Sequence, residues 1–113
     1  MAERSSASVL IGTKDLFFRA KLEAIVRAAG ATLERGGPVS LAVLALDATS
    51  PDQVKMFRKQ GVAVLVFGPH VDAADLRAAR AAGAEAVPNI QVEEALRARL
   101  HYLVSDHQPN SQG

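Results

Sequence analysis

The 113-residue chain contains no cysteine and no tryptophan, and aromatic residues make up only 4% of it. Without cysteine there is no disulfide frame, no thiolate nucleophile and no Cys-based zinc site. A chain free of disulfides suits a reducing compartment. The shortage of aromatics directs the core toward aliphatic side chains and close helix packing through alanine. No apolar run approaches the roughly 18 residues that span a bilayer, and Met1 to Ser8 lack the apolar centre of a secretory signal. These absences predict a cytoplasmic protein with no membrane insertion. An excess of one charge is missing as well: 13 Lys and Arg against 12 Asp and Glu leave a net charge of +1. Nucleic-acid binding calls for clustered basic residues. The nearest approach to a cluster is the set Arg77, Arg80, Arg97 and Arg99, whose first pair reads as a solvated helix face. Nucleic acid is therefore not an expected partner. Gly12-Thr13 is no phosphate cradle, because neither a P-loop nor a dinucleotide fingerprint surrounds it. No cofactor is expected.

What is present is the composition of a single globular domain, 49% hydrophobic and 22% charged. A chain of this length buries about two-thirds of its unfolded surface, enough for a core without staples. Residues 8–12 (Ser-Val-Leu-Ile-Gly) are a short apolar run and read as a buried strand. From residue 14 to 29 the period changes: Phe18, Leu22, Ile25 and Ala29 form one stripe, and charged residues take the other faces. Thr13 is the expected cap of that helix, Asp15 falls in its first turn, and Gly30 stops it. Residues 31–33 are a weak second strand and 41–46 a third, ending on Asp47. Ser50-Pro51-Asp52-Gln53 combines a Ser cap, Pro at the first position and Gln at the third, so a helix to residue 60 follows. Residues 62–67 read as a fourth strand and 72–82 as a helix that Asp72 opens and Gly83 closes. Residues 84–87 are a fifth strand, and 91–104 a last helix. Residues 1–7 are expected to be a flexible N-terminus and 105–113 a disordered tail, with one domain over 8–104.

Strands that alternate with helices predict a parallel sheet covered on both faces. The expected architecture is flavodoxin-like: three layers, α/β/α, around a five-stranded parallel sheet of order 2-1-3-4-5. Its functional crevice lies where strand order reverses, so four loops should meet there: 12–15, 47–50, 68–72 and 88–90. Only the seven residues 34–40 separate the second and third strands. Extended, they reach roughly 23 Å, too little for a crossover helix. The helix between those strands is therefore expected to be missing or very short.

Leu44-Ala45-Leu46-Asp47-Ala48-Thr49-Ser50-Pro51 places an Asp at the end of the third strand with Pro four residues on. Ala79-Arg80-Ala81-Ala82-Gly83-Ala84 ends a helix in Ala-Gly-Ala before the fifth strand. In both respects, and over residues 8–103, the chain resembles the receiver domains of bacterial response regulators. That resemblance implies Asp47 as the phosphoacceptor position. It also marks departures. The family's acidic pair, which holds magnesium, falls on Gly12 and Thr13, with Asp15 two residues too late. The family's Ser or Thr falls on Gly68, its Lys on Asn89, and its aromatic switch residue on Ala86.

These readings describe a degenerate site formed by the loops of Gly12, Thr13, Asp15, Gly68, His70 and Asn89. Lys14 is the candidate to neutralise Asp47, and His70 reads as a loop residue. No metal site and no enzymatic activity are expected. The functional expectation is a phosphorylation-independent pseudo-receiver that serves as an adaptor for another signalling or regulatory protein. The expected face spans residues 71–103, with Phe17, Leu76, Arg77, Arg80, Arg97 and Tyr102 as candidate interface residues and a homodimer as the default. The alternative is a stand-alone receiver phosphorylated on Asp47 in a phosphorelay.

Overall fold

A computed structural model describes residues 7–106. Strands β1 (Ser8–Gly12), β2 (Thr32–Leu33), β3 (Leu41–Ala45), β4 (Ala63–Gly68) and β5 (Glu85–Pro88) alternate with helices α1 (Leu16–Ala28), α2 (Pro51–Lys59), α3 (Ala73–Ala82) and α4 (Val92–Asp106). All strand pairs are parallel and their order is β2-β1-β3-β4-β5, as expected from the alternation of periods.

The layers follow from which side chains each strand sends to each face. β3 is buried at all five positions, as a central strand covered on both sides must be. Leu41, Val43 and Ala45 join Leu22, Val26, Leu96 and Leu100 on one face, under α1 and α4. Ala42 and Leu44 join Val54, Leu76 and Ala79 on the other, under α2 and α3. The single aromatic of the deep core, Phe67, stacks at a tilt against Phe18, with centroids 5.3 Å apart. Gly83 closes α3 in the left-handed region at φ 115°, a conformation that costs glycine little.

No helix joins β2 to β3, as the short connection requires. The consequence is visible in β1, whose burial alternates. Val9 and Ile11 lie in the core under α1 and α4, while Leu10 on the opposite face is only partly covered, at the margin of the α2/α3 core with Val39 and Phe57.

Several boundaries move. Helix α1 starts at Leu16 with Asp15 as its cap, in place of Thr13. The third strand stops at Ala45, and Leu46–Ala48 form a single 3-10 turn. Ser50 caps α2 through the Gln53 N–H at 3.3 Å, but Gln53 does not reciprocate: its Oε1 accepts the Thr49 hydroxyl at 3.0 Å. Asp72 stands at the α3 cap position without a side-chain cap bond. Ala7, expected in a flexible N-terminus, is buried, and its carbonyl accepts the Thr32 N–H at 2.9 Å. The last helix runs to Asp106, two residues past the expected boundary. The rest of the expected flexible ends, 1–6 and 107–113, lies outside the described residues. Among the described residues no helix is long and apolar enough to cross a membrane.

Candidate functional site

The carboxyl ends of β1, β3, β4 and β5 open on a cavity of about 230 Å³. Each of the four loops expected to meet there contributes a wall: Thr13 and Asp15, Asp47, Gly68 with Pro69 and Asp72, and Asn89. Gly12, Lys14 and His70 do not line it; Lys14 and His70 are exposed beside it.

The first wall is fixed by hydrogen bonds that consume its polar groups. The Asp15 carboxylate accepts the backbone N–H of Phe17 at 2.9 Å and of Phe18 at 3.1 Å. The buried Thr13 hydroxyl accepts the Asp15 N–H at 3.1 Å. Arg19 reaches back from α1 and donates to the carbonyls of Ile11 at 3.2 Å and Thr13 at 2.8 Å. Its guanidinium thus ties the loop down with two charge-assisted bonds. Position 19 reads from sequence as one charged residue among several on a polar helix face, and no pattern distinguishes it.

The second wall is Asp47, exposed on its 3-10 turn. Among the described residues no ion pair joins Lys14 to Asp47, so the suggested neutralising pair is not formed in this structure. No three His, Asp or Glu side chains are arranged to hold a metal ion among the described residues. Magnesium takes near-octahedral oxygen ligation from one or two carboxylates with water and phosphate, and the crevice offers the carboxylates of Asp47 and Asp72. Gly12 and Thr13 bring no carboxylate, and that of Asp15 is engaged as a helix cap.

Gly68 in the crevice wall and Gly12 at the end of β1 both stand where a neighbouring leucine occupies the space a side chain would need. A Cβ on Gly12 would lie 2.8 Å from Cδ2 of Leu44. A Cβ on Gly68 would overlap Cδ1 of Leu46 and lie 2.8 Å from its Cγ. Ala86, one strand over, is buried. A side chain at either position would require the neighbouring leucine to shift.

Beside the crevice, Lys21 bridges α1 to α4. Its ammonium lies 2.7 Å from Glu93 and 5.1 Å from the centre of the Phe17 ring. The hydrogen bond from Lys21 holds the Glu93 carboxyl below its ordinary value of 4.5. A larger apolar groove of about 530 Å³ lies away from the crevice, between α1 and α4, with Arg97 and His101 in its wall.

The candidate interface residues separate on inspection. Phe17 and Tyr102 are exposed, as are Arg77 and Arg97, the latter 3.9 Å from Glu93. Leu76 is 3% exposed and belongs to the α2/α3 core, so it is a packing residue and cannot anchor a partner. Arg80 bends over the sheet edge and donates twice to the Ala86 carbonyl, at 2.8 and 3.2 Å. Arg99 pairs with Glu85 of the end strand β5 at 2.9 Å.

No family model and no curated protein matches the sequence. Solved structures do match. The BeF3-activated DrrB receiver domain superposes with a TM-score of 0.74 at 14% identity, over 89% of this chain and 99% of that one. The CheY-like response regulator receiver domain protein from Methanospirillum hungatei JF-1 gives 0.73 at 13% identity, over 92% and 98%. The receiver domain of Ssk1 from Saccharomyces cerevisiae, solved with the histidine phosphotransfer signaling protein Ypd1, gives 0.71 at 15%, over 88% and 90%. With these similarities and the strand order above, the chain has the fold of a response-regulator receiver domain.

Proposed function

We propose that the chain is a regulatory module of two-component type signalling that acts by binding another protein, independently of phosphorylation. The observation that carries this reading is the crevice itself. Where the resemblance puts a receiver's acid and hydroxyl, Gly12 and Gly68 stand against Leu44 and Leu46, and the carboxylate of the first loop, Asp15, is held by two backbone N–H groups. A phosphoryl switch needs a charge change at the site and an element with two arrangements to report it. Position 68 has no hydroxyl to follow the phosphoryl group and position 86 has no ring to rotate. What the scaffold retains is its surface, and the yeast Ssk1 receiver, solved with Ypd1, offers a precedent for a receiver fold held against a partner protein. The expected partner is another signalling or regulatory protein, or a second copy of the chain, met in the cytoplasm.

The test is incubation with acetyl phosphate and magnesium followed by intact-mass measurement. No phosphoryl adduct is expected. An adduct that forms on the parent and is lost in Asp47→Ala would replace this reading with that of a stand-alone phosphoacceptor.

A further inference from the structure

Helices α1 and α4 cover one face of the sheet together and are tied near their starts by the Lys21–Glu93 pair at 2.7 Å. Past that bridge they part, and the groove of about 530 Å³ opens between them. At a rise of roughly 1.5 Å per residue, Ala28 in its wall lies about 15 Å along α1 from Phe18 in the crevice wall. The two openings share no lining residue.

The groove has a local cause. Ala24 and Ala28 stand one turn apart on α1, and each brings only a methyl group to the wall. Ile25, half-buried, and Leu100, fully buried, add larger apolar surface. Of the eight lining residues six are apolar; the other two are Arg97 and His101, one turn apart on α4, and none is acidic. The Arg97 side chain is 62% exposed, and its pair with Glu93 is stretched to 3.9 Å. Among the described residues His101 enters no ion pair. An apolar trough with a loosely engaged guanidinium in its wall is complementary to an apolar chain that ends in a negative charge.

Size decides between kinds of occupant. The volume falls within the roughly 300–1,000 Å³ of small-molecule sites. Eight lining residues are far fewer than the roughly 20–30 a side of a stable protein interface.

We propose that the groove between α1 and α4 binds a free fatty carboxylate of medium chain length. The alkyl chain lies along Ala24, Ile25, Ala28 and Leu100, and the carboxylate meets Arg97 with His101 beside it. A singly charged head matches the one guanidinium, which can hold a carboxylate through two parallel bonds. Burial of methylene groups supplies most of the affinity, and Arg97 sets the orientation and disfavours a cationic head. The site goes beyond the adaptor reading and does not depend on the state of Asp47.

The test is calorimetric titration of the full chain with dodecanoate, kept below its micelle concentration. Saturable binding of one dodecanoate per chain is expected. Decanoate, two methylenes shorter, should bind about fourfold more weakly or worse, because each methylene that is half covered or better is worth roughly twofold or more. Dodecyltrimethylammonium, with the opposite charge, should bind at least about fivefold more weakly, and Arg97→Gln should weaken dodecanoate by about fivefold. Ala28→Leu and Ala24→Leu fill the groove with a good helix former at exposed positions, so each should weaken binding by about tenfold while thermal melting shows the fold intact. Phe17→Ser, at the other end of α1, should change it by less than about twofold. Absence of saturable binding, equal affinity for the two head groups, or binding that both leucine variants leave unchanged overturns the proposal. So does a dimer in sedimentation equilibrium that Ala28→Leu dissociates while dodecanoate fails to bind, which would give the groove to a second copy of the chain. Sedimentation with phosphatidylglycerol vesicles that Ala28→Leu abolishes, with no binding of free dodecanoate, would give it to a membrane surface and likewise overturns the proposal.

Discussion

Replacing Gly68 by Ser puts a hydroxyl at the position that the proposed reading equates with a receiver's Ser or Thr, and the packing around Gly68 sets what that costs. The new Cβ overlaps Cδ1 of Leu46 and lies 2.8 Å from its Cγ and 3.3 Å from its Cβ. Overpacking of this kind costs about 1–3 kcal/mol after the neighbours adjust. Gly68 is not among the glycines with positive φ, so no backbone strain is added. Loss of glycine's freedom in the unfolded chain returns about 0.4–1 kcal/mol. The net expectation is a destabilisation of about 1–2 kcal/mol, or a fall in Tm of roughly 4–8 °C for a domain of this size. Leu46 is half-buried, so Leu46→Ala alone should cost less than the ~2–5 kcal/mol of a fully buried leucine. In the double variant the serine occupies the vacated space, and the two single effects should exceed the double effect by about 1 kcal/mol. Urea unfolding followed by far-UV circular dichroism measures all three. A Gly68→Ser variant within about 0.3 kcal/mol of the parent, or single effects that simply add, refutes the claim that Leu46 closes the position.

Asp15→Ala removes the acceptor of two N–H groups at the start of α1 and should cost about 0.5–2 kcal/mol in the same assay; no loss would mean that the carboxylate is not engaged as a cap. Leu22→Ala should cost about 2–5 kcal/mol and Phe17→Ala less than about 0.5 kcal/mol, since the first is fully buried and the second mostly exposed; comparable losses would place the wrong face of α1 in the core. The Lys21–Glu93 pair predicts a pH effect. A carboxyl held below its ordinary 4.5 contributes stability above that value, and the contribution disappears as pH falls through the lowered value. The stability difference between the parent and Lys21→Met should therefore shrink as the solution is acidified below 4.5, and a difference that stays constant contradicts the pairing.

The sheet and its order were legible because each strand and helix announces its period. The run at 41–45 is apolar at every position, as a central parallel strand must be, and the stripe Phe18, Leu22, Ile25 faces the core it predicts. The missing crossover helix was legible from chain length alone. Choices that depend on local competition were less so. Thr13 and Asp15 both qualify as caps, and the choice depends on Thr13 being buried under the loop that Arg19 ties down. Leu76 carried a signal that was misread. In the alanine-rich helix α3 it is the one large apolar side chain, in phase with Ala79 and Ala82, and that stripe is core. The leucines that close positions 12 and 68 were invisible, because Leu44 lies on a neighbouring strand and Leu46 in a turn far away in sequence.

The central proposal is that the receiver fold is kept here while its crevice takes up no phosphoryl group. The most direct measurement is an amide-resolved NMR titration of the parent chain with beryllofluoride and magnesium, an acyl-phosphate mimic. The account predicts no saturable shifts at Asp47, Gly68, Ala86 and Asn89. Saturable shifts centred on these residues and abolished by Asp47→Ala would contradict it.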